Sequence, residues 1–212
     1  MTILLPLSVF LACYVIGSFP SAYVAGRLNH VNIFEMGSGN MGANNVIRAL
    51  GFKWGGAVWA LDSLKGVLAV SLARRLMPSD EIAASVIGAI AVVIGHNWSF
   101  LATLITGKLR GGKGAATAAG TWVMMAPAQV ILITLTLWAA VVLLTRYVSL
   151  GVLVAVAIGS IWMLILIGQP GTNIPQEYSI YIVAVSAMIY IRHWKNIQSL
   201  LAGRERRLGD RV

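Results

Sequence analysis

The chain has 212 residues, 58% of them hydrophobic and only 11% charged, with a formal net charge of +9 and a mean hydropathy of +0.81. A soluble domain carries roughly a quarter charged residues, so this composition excludes an ordinary globular domain and indicates an integral membrane protein. The lone Cys13 excludes an internal disulfide, and without a basic helix interleaved with stacking aromatics the positive charge does not indicate nucleic acid.

The first apolar segment, near 3–25, is long enough to span a bilayer. It lacks a basic flank ahead of it and a small-residue cleavage pattern behind it, and so reads as a retained helix rather than a signal peptide. A polar island follows, Gly37-Ser38-Gly39-Asn40-Met41-Gly42-Ala43-Asn44-Asn45-Val46-Ile47-Arg48, read here as a loop. Irregular polar backbone beside a bilayer survives only where protein buries it or it faces water, so such islands tend to be sites. Small residues allow close backbone approach, and an arginine grips phosphate through two parallel hydrogen bonds. Helix packing through small residues is the bland alternative, but packing asks for neither Asn nor Arg.

The second apolar segment, near 54–77, carries Asp62 and Lys65 three residues apart, placed near its cytoplasmic end as a supporting ion pair. Met77-Pro78-Ser79-Asp80 is a turn with Ser79 or Asp80 ready to cap the next helix, near 81–105, in which His96 follows Gly95. Gly111-Gly112-Lys113-Gly114 forms the second island, a basic turn whose freed backbone N–H groups suit phosphate. The run from Ala115 to Thr145 is broken by Pro127 into 115–125 and 127–145. Ser149 opens the segment 150–168 as a candidate N-cap. After the loop Gln169 to Pro175 comes a short segment, 178–191, and then the third island, His193-Trp194-Lys195-Asn196. His193 and Asn196 share a helical face, with Glu205 in the basic tail beyond.

The expected fold is all-α, a single integral membrane domain spanning 1–212 with about seven transmembrane helices, or five if 115–145 merges differently. With seven spans, Arg27, Arg48, Lys53, Lys65, Lys108, Arg110, Lys113, Arg146, Arg192, Lys195, Arg204, Arg206, Arg207 and Arg211 fall on one side. Only Arg74 and Arg75 fall on the other, so 14 of 16 basic residues mark one face as cytoplasmic. The N-terminus is then outside, the C-terminus inside, and all three islands share the cytoplasmic face.

Two motifs mislead. Gly37-x-Gly39-x-x-Gly42 matches a dinucleotide fingerprint, but no strand precedes it and Asp62, in the place of the ribose carboxylate, lies in a membrane segment. Gly107-x-x-x-x-Gly112-Lys113 resembles a nucleotide-binding loop, but Gly114 replaces the Ser or Thr that holds magnesium. No catalytic-triad elbow and no metal-ligand spacing occur, so neither metal nor cofactor is expected.

Taken in order, Gly37 to Arg48, Leu61-Asp62-x-x-Lys65-Gly66, Gly95-His96, Gly111 to Gly114, Ser149-Leu150-Gly151 and His193-x-x-Asn196-Ile197 resemble the PlsY family of bacterial acyl-phosphate:glycerol-3-phosphate acyltransferases. The chain departs from the family pattern at Met41, Asn44 and Ser199. The resemblance covers nearly the whole chain. It implies a seven-helix enzyme of the bacterial inner membrane, with its site on the cytoplasmic side, that makes lysophosphatidic acid and inorganic phosphate from acyl phosphate and glycerol 3-phosphate. A soluble enzyme that supplies the acyl phosphate is the implied partner besides the bilayer.

On that reading Ser38, Arg48, Lys113, His193 and Asn196 are catalytic. Gly39, Asn40, Asn44, Asn45, His96, Gly111, Gly112, Gly114, Ser149 and Glu205 bind substrate, and Asp62 and Lys65 support them. The base for the glycerol hydroxyl is either His193 or the substrate's own phosphate. The competing reading is a transporter or channel for phosphorylated anions, which would share the basic concavity.

Overall fold

The computed structural model describes residues 3–210, so Arg211 lies outside the described residues. The described residues are helical, and their only β pairing is an isolated bridge between Ser99 and Arg110. The helices are α1 (Leu4–Ser18), α2 (Ser21–Leu28), α3 (Ala43–Leu50), α4 (Phe52–Leu76), α5 (Glu81–Asn97), α6 (Phe100–Thr106), α7 (Ala115–Met125), α8 (Ala128–Thr145), α9 (Val148–Ile167), α10 (Tyr178–Arg192) and α11 (Trp194–Leu201).

Five stretches are long and apolar enough to cross a membrane: 4–28, 52–76, 78–97, 128–145 and 148–167. The 11-residue α7 and 15-residue α10 are shorter. The expected breaks at the Pro78 turn and at Pro127 are present, and two more interrupt segments read as continuous. Pro20 divides the first segment into α1 and α2, because an interior proline removes a helix hydrogen bond, and Trp98 and Ser99 end α5 before α6. Asp80 caps α5 by accepting a 2.9 Å bond from the Ala83 amide. Ala126 and Pro127 separate α7 from α8.

Three expectations need correction. The first island is only half a loop, since Ala43 to Leu50 close into α3 and place Asn44, Asn45 and Arg48 on a helix. Asp62 lies near the middle of the 25-residue α4, roughly 15 Å from its start at 1.5 Å per residue, and not at its end. Ser149 is not a cap: α9 begins at Val148 after Tyr147, and the serine hydroxyl points to Glu205.

Small residues bring the central helices into near-backbone contact. A methyl group on Gly17 would strike the Val92 carbonyl, and one on Gly95 the Tyr14 carbonyl, which sets α1 against α5. Gly66 and Gly120 do the same for α4 against α7, facing the Thr117 and Ser63 carbonyls. In lipid, association relies on such close packing because the hydrocarbon gives helices no hydrophobic drive toward each other. At the end away from the islands, Arg74 donates to Ser85 Oγ (2.8 Å) and to the Met124 carbonyl (2.9 Å), tying α4, α5 and the end of α7 together. By contrast α8 packs chiefly on α9, forming a hairpin that stands off from α4 and α7.

If Gly120 carries the α4–α7 contact, Gly120→Ala should destabilise the protein by roughly 1–3 kcal/mol through overpacking. Gly56→Ala, at a position open to space, should be neutral or slightly stabilising. Thermal unfolding in detergent compares them, and equal melting temperatures would remove this contact from the account.

Candidate active site

The three islands meet at one end of the bundle around a cavity of about 1330 Å³. Its polar end is made by α3, the loop before α7, the start of α9 and the chain from Arg192 to Arg206. The other end is an apolar groove between α4, α7 and the α8–α9 hairpin, floored by α10.

The first island folds on Asn45. Its side-chain oxygen accepts from the Ser38 amide (3.0 Å) and hydroxyl (3.3 Å), and its amide nitrogen donates to the carbonyls of Ile33 and Met36. Asn45 therefore holds the loop with both ends of its amide, whereas the side-chain oxygens of Asn40 and Asn44 are buried without a partner. Gly39 takes a left-handed φ of 64°, where a Cβ would also press on the Phe34 carbonyl. Met41, one of the family departures, is buried in a small apolar cluster with Ile33, Phe34 and Val46.

The second island is pressed onto α5. The Gly112 amide donates to the His96 carbonyl (2.8 Å) and the Ser99 amide donates to the Arg110 carbonyl (2.8 Å). A side chain on Gly112 would collide with the His96 ring, and one on Gly111 with the Asn97 carbonyl. Gly112 thus sets the loop against His96, while Gly111, Lys113 and Gly114 line the cavity. Gly114, at φ 83°, lets the chain turn into α7.

Three helix N-termini reach the cavity, at Ala43 of α3, Ala115 of α7 and Ser149 of α9, and none has a side-chain cap. Their free N–H groups and dipole ends favour an anion there.

Side chains from all parts of the chain join in one hydrogen-bonded series. Lys113 Nζ donates to Asn196 Oδ1 (2.6 Å), Asn196 Nδ2 donates to Glu205 Oε1 (2.7 Å), and the Ser149 hydroxyl donates to the same oxygen (2.7 Å). Glu205 is kept there by the tail, whose Leu208 amide donates to the Arg146 carbonyl while Arg146 Nη2 donates to the Leu208 carbonyl. Arg48 donates to the Arg206 carbonyl at 3.5 Å, and its Nε is buried without a partner.

His193 sits between α10 and α11, 4% exposed, with Nδ1 2.8 Å from the Ile189 carbonyl. A carbonyl only accepts, so Nδ1 carries the hydrogen and Nε2 keeps the lone pair. Burial, with the neighbouring Lys113 charge, pushes the imidazole down to about 4. Lys113 is pushed down to about 8 by burial and by Arg48 and Arg192, with Glu205 opposing. Burial lowers Arg48 in the same sense.

Beneath the polar end, Lys65 Nζ pairs with Asp62 Oδ1 (2.7 Å) and donates to the Phe19 carbonyl (2.9 Å), while the Ser21 hydroxyl donates to Asp62. His96 Nδ1 is 3.8 Å from Asp62, beyond hydrogen-bond range, and is buried without a partner. Lys65 does not line the cavity, so its role is to neutralise Asp62 and anchor the α1–α2 break.

Two arginines that the sequence motifs do not single out also line the cavity. Arg192 donates to the Gly112 carbonyl (2.9 Å) and lies over Trp98. Arg110 stacks on Phe34, with its Nε buried and unpartnered. The one sequence signal was a basic residue adjoining an island, which many juxtamembrane residues share. Among the described residues no cluster of His, Cys, Asp or Glu could hold a metal ion.

A bound anion should drive Lys113 back to its charged form. At pH 8.5 the binding of inorganic phosphate should therefore take up roughly 0.8 of a proton, the neutral fraction of a group titrating near 8. Because that protonation is lost as pH rises through about 8, affinity should fall over the same range. Calorimetry in two buffers of different ionisation heat measures the uptake, and Lys113→Arg should abolish it. Zero uptake by the unsubstituted protein would contradict the assignment.

Residues 7–203 match the family model described as glycerol-3-phosphate acyltransferase. A relative of that name from Rubrobacter xylanophilus is 41% identical over 199 residues, covering 93% of this chain and 92% of its own. Glycerol-3-phosphate acyltransferase 2 of Moorella thermoacetica is 38% identical over 199 residues, covering 93% and 95%. Among solved structures, PlsY (YgiH), described as an integral membrane glycerol 3-phosphate acyltransferase, superposes in its glycerol 3-phosphate form with a TM-score of 0.83. It is 33% identical, with 96% of each chain covered. Its lysophosphatidic acid form gives a TM-score of 0.81. The chain belongs to the glycerol-3-phosphate acyltransferase family of integral membrane proteins.

Proposed function

We propose that this protein transfers a fatty acyl group from an acyl phosphate to a hydroxyl of glycerol 3-phosphate, releasing inorganic phosphate and forming lysophosphatidic acid. Acylation of glycerol 3-phosphate follows from the family, and the acyl-phosphate donor is the reading that the cavity supports. The carrying observation is charge. Arg48, Arg110, Lys113, Arg192, Lys195, Arg204 and Arg206 line the cavity against only Asp62 and Glu205, and Asp62 is already paired with Lys65. A cavity with that excess, three uncapped helix N-termini and no carboxylate pair suits two phosphates together.

An acyl phosphate is a mixed anhydride with a good leaving group, so positioning and charge stabilisation are the work left to the protein. The hydroxyl oxygen of glycerol 3-phosphate attacks the acyl carbonyl. A carbon–oxygen bond forms, the carbonyl–phosphate bond breaks, and the hydroxyl proton leaves. Ser38, Asn40 and Asn44 with the Lys113–Gly114 backbone hold the acyl phosphate, on a loop shaped by Gly39 and Asn45, while Gly111 and Gly112 seat that backbone against α5. Lys113 and Arg48 neutralise the phosphates, and Ser149, Asn196 and Glu205 orient glycerol 3-phosphate. His96, floored by Asp62 and Lys65, backs the Gly112 turn.

His193 accepts at Nε2 a hydrogen bond from the other, non-attacking hydroxyl of glycerol 3-phosphate, which leaves the single proton of the attacking hydroxyl free for the phosphate. With the imidazole held near 4 in the empty site, the phosphate of the substrate, titrating near 6, is the stronger base and takes the proton.

The acyl chain lies in the groove, which opens toward lipid beside Trp59, Leu64, Val123 and Leu135. The whole chain works as one domain that crosses the membrane seven times, α7 and α10 adding to the five long spans. The N-terminus is outside, and the site and C-terminus face the cytoplasm of a bacterial inner membrane. The basic mouth is then open to the soluble enzyme that delivers acyl phosphate.

Detergent-purified protein given acyl phosphate should form lysophosphatidic acid only when glycerol 3-phosphate is added; uptake of glycerol phosphate into liposomes with no product would favour the transporter instead. His193→Ala should lower kcat by about 10- to 100-fold, the loss of one hydrogen bond that positions glycerol 3-phosphate for attack. The acid limb of its pH–rate profile should stay near 6, where the substrate phosphate titrates. An acid limb that disappears with His193 would make the histidine the base.

A further inference from the structure

The apolar groove runs away from the polar end along α9 and α10. On α9 its lining runs from Ser149 through Val152 and Val156 to Ser160, and on α10 from Ile189 through Ser186 to Ile182, with His193 just past that helix's end. Ser149 to Ser160 is eleven steps of helix, a depth of roughly 16 Å at 1.5 Å per residue.

At that depth three helices converge. Gly159 lacks a side chain, so the Thr134 methyl of α8 and the Trp122 ring of α7 close against α9. The Thr134 hydroxyl is turned away, donating to the Val130 carbonyl (2.7 Å), which leaves its methyl toward Gly159. Beside this closure the hydroxyls of Ser160 and Ser186 satisfy each other at 2.8 Å. Beyond it Met163 is buried, and Thr121 is tied to Tyr181 by a 2.6 Å hydrogen bond.

We propose that the Trp122–Gly159–Thr134 closure and the Ser160–Ser186 pair form an end wall that makes this enzyme selective for acyl chains of about fourteen to sixteen carbons. The proposal rests on the acyl-transfer reading. An extended alkyl chain advances roughly 1.25 Å per methylene, the axial projection of a carbon–carbon bond of about 1.5 Å. A groove of about 16 Å therefore takes about thirteen methylenes beyond the carbonyl before the tail meets the wall. Longer chains must bend out through the lipid-facing side and give up contacts inside, so selectivity falls off above the optimum without a sharp cut-off. The paired serines suit a tail end because they are small and use their hydroxyls on each other, presenting no free polar group to the chain.

The test measures kcat/KM of the full-length protein for saturated acyl phosphates of about ten to eighteen carbons, at saturating glycerol 3-phosphate. Eighteen carbons should be at least threefold poorer than the optimum. Ser160→Leu fills the end and should move the optimum two to four carbons shorter; Trp122→Leu opens it and should move the optimum longer. The KM for glycerol 3-phosphate should stay unchanged in both. A flat length profile, or an optimum that neither substitution moves, overturns the end wall while leaving acyl transfer intact. No transfer at any length overturns the parent reading and the wall with it.

Discussion

Positive charge without enough negative charge, confined in a partly dry cavity, is the constraint on which the site depends. Lys113 and Arg48 are both half or more buried and both lowered by burial and by other cations. Glu205 is the carboxylate that offsets them, and it is reached only through Asn196 and Ser149. An arrangement of this kind is costly in the empty protein, since like charges repel more strongly as water is excluded. On the proposed reaction two phosphate groups would relieve that repulsion, which makes substrate binding and site electrostatics one problem. Burial lowers Lys113 enough to make its charge depend on its partner, and a bound anion restores it.

The rest of the architecture keeps those charges from spreading apart. Gly17, Gly66, Gly95 and Gly120 allow α1, α4, α5 and α7 to pack nearly backbone to backbone, giving a stiff frame for His96 and the second island. The Asp62–Lys65 pair removes one buried carboxylate from competition for the substrate cations and closes the exposed carbonyls where Pro20 interrupts the first segment. The tail then crosses the mouth and is pinned to Arg146 at the α8–α9 turn, so Glu205 arrives from far along the chain at the start of α9. The same hairpin walls the acyl groove. In the proposed reaction, contact with the acyl chain and contact with the phosphates would therefore share one structural element.

Much of this was legible in the residues. Apolar runs, the prolines at 78 and 127 and the Asp80 cap locate the long helices, because lipid leaves few alternatives to a helix and proline marks where it stops. The three islands stood out because Asn, Gly and Lys are costly beside hydrocarbon unless they have work to do. What the residues did not disclose is which way each side chain turns. Asn45 and Asn44 are adjacent and identical in kind, yet one spends its amide on the loop and the other leaves its oxygen unpartnered. Ser149 differs from a cap by two positions of helix start. Arg110 and Arg192 were invisible among fourteen basic residues on one face, because only the folded chain shows Arg192 bonded to the Gly112 carbonyl. The sequence alone also misplaces the depth of Asp62, although the segment's bounds agree with α4 to within two residues, because a charged pair is expected at a helix end rather than near its middle.

With an acyl phosphate as the proposed donor, the leaving group is activated before it arrives, so the reaction requires both anions in the cavity at once and no acyl group on the protein. Initial-velocity kinetics, varying acyl phosphate at several fixed levels of glycerol 3-phosphate, tests that requirement most directly. Intersecting reciprocal plots are the expected result, with no exchange of labelled phosphate into acyl phosphate when glycerol 3-phosphate is absent. Parallel plots accompanied by such exchange would establish an acyl-enzyme and contradict the account.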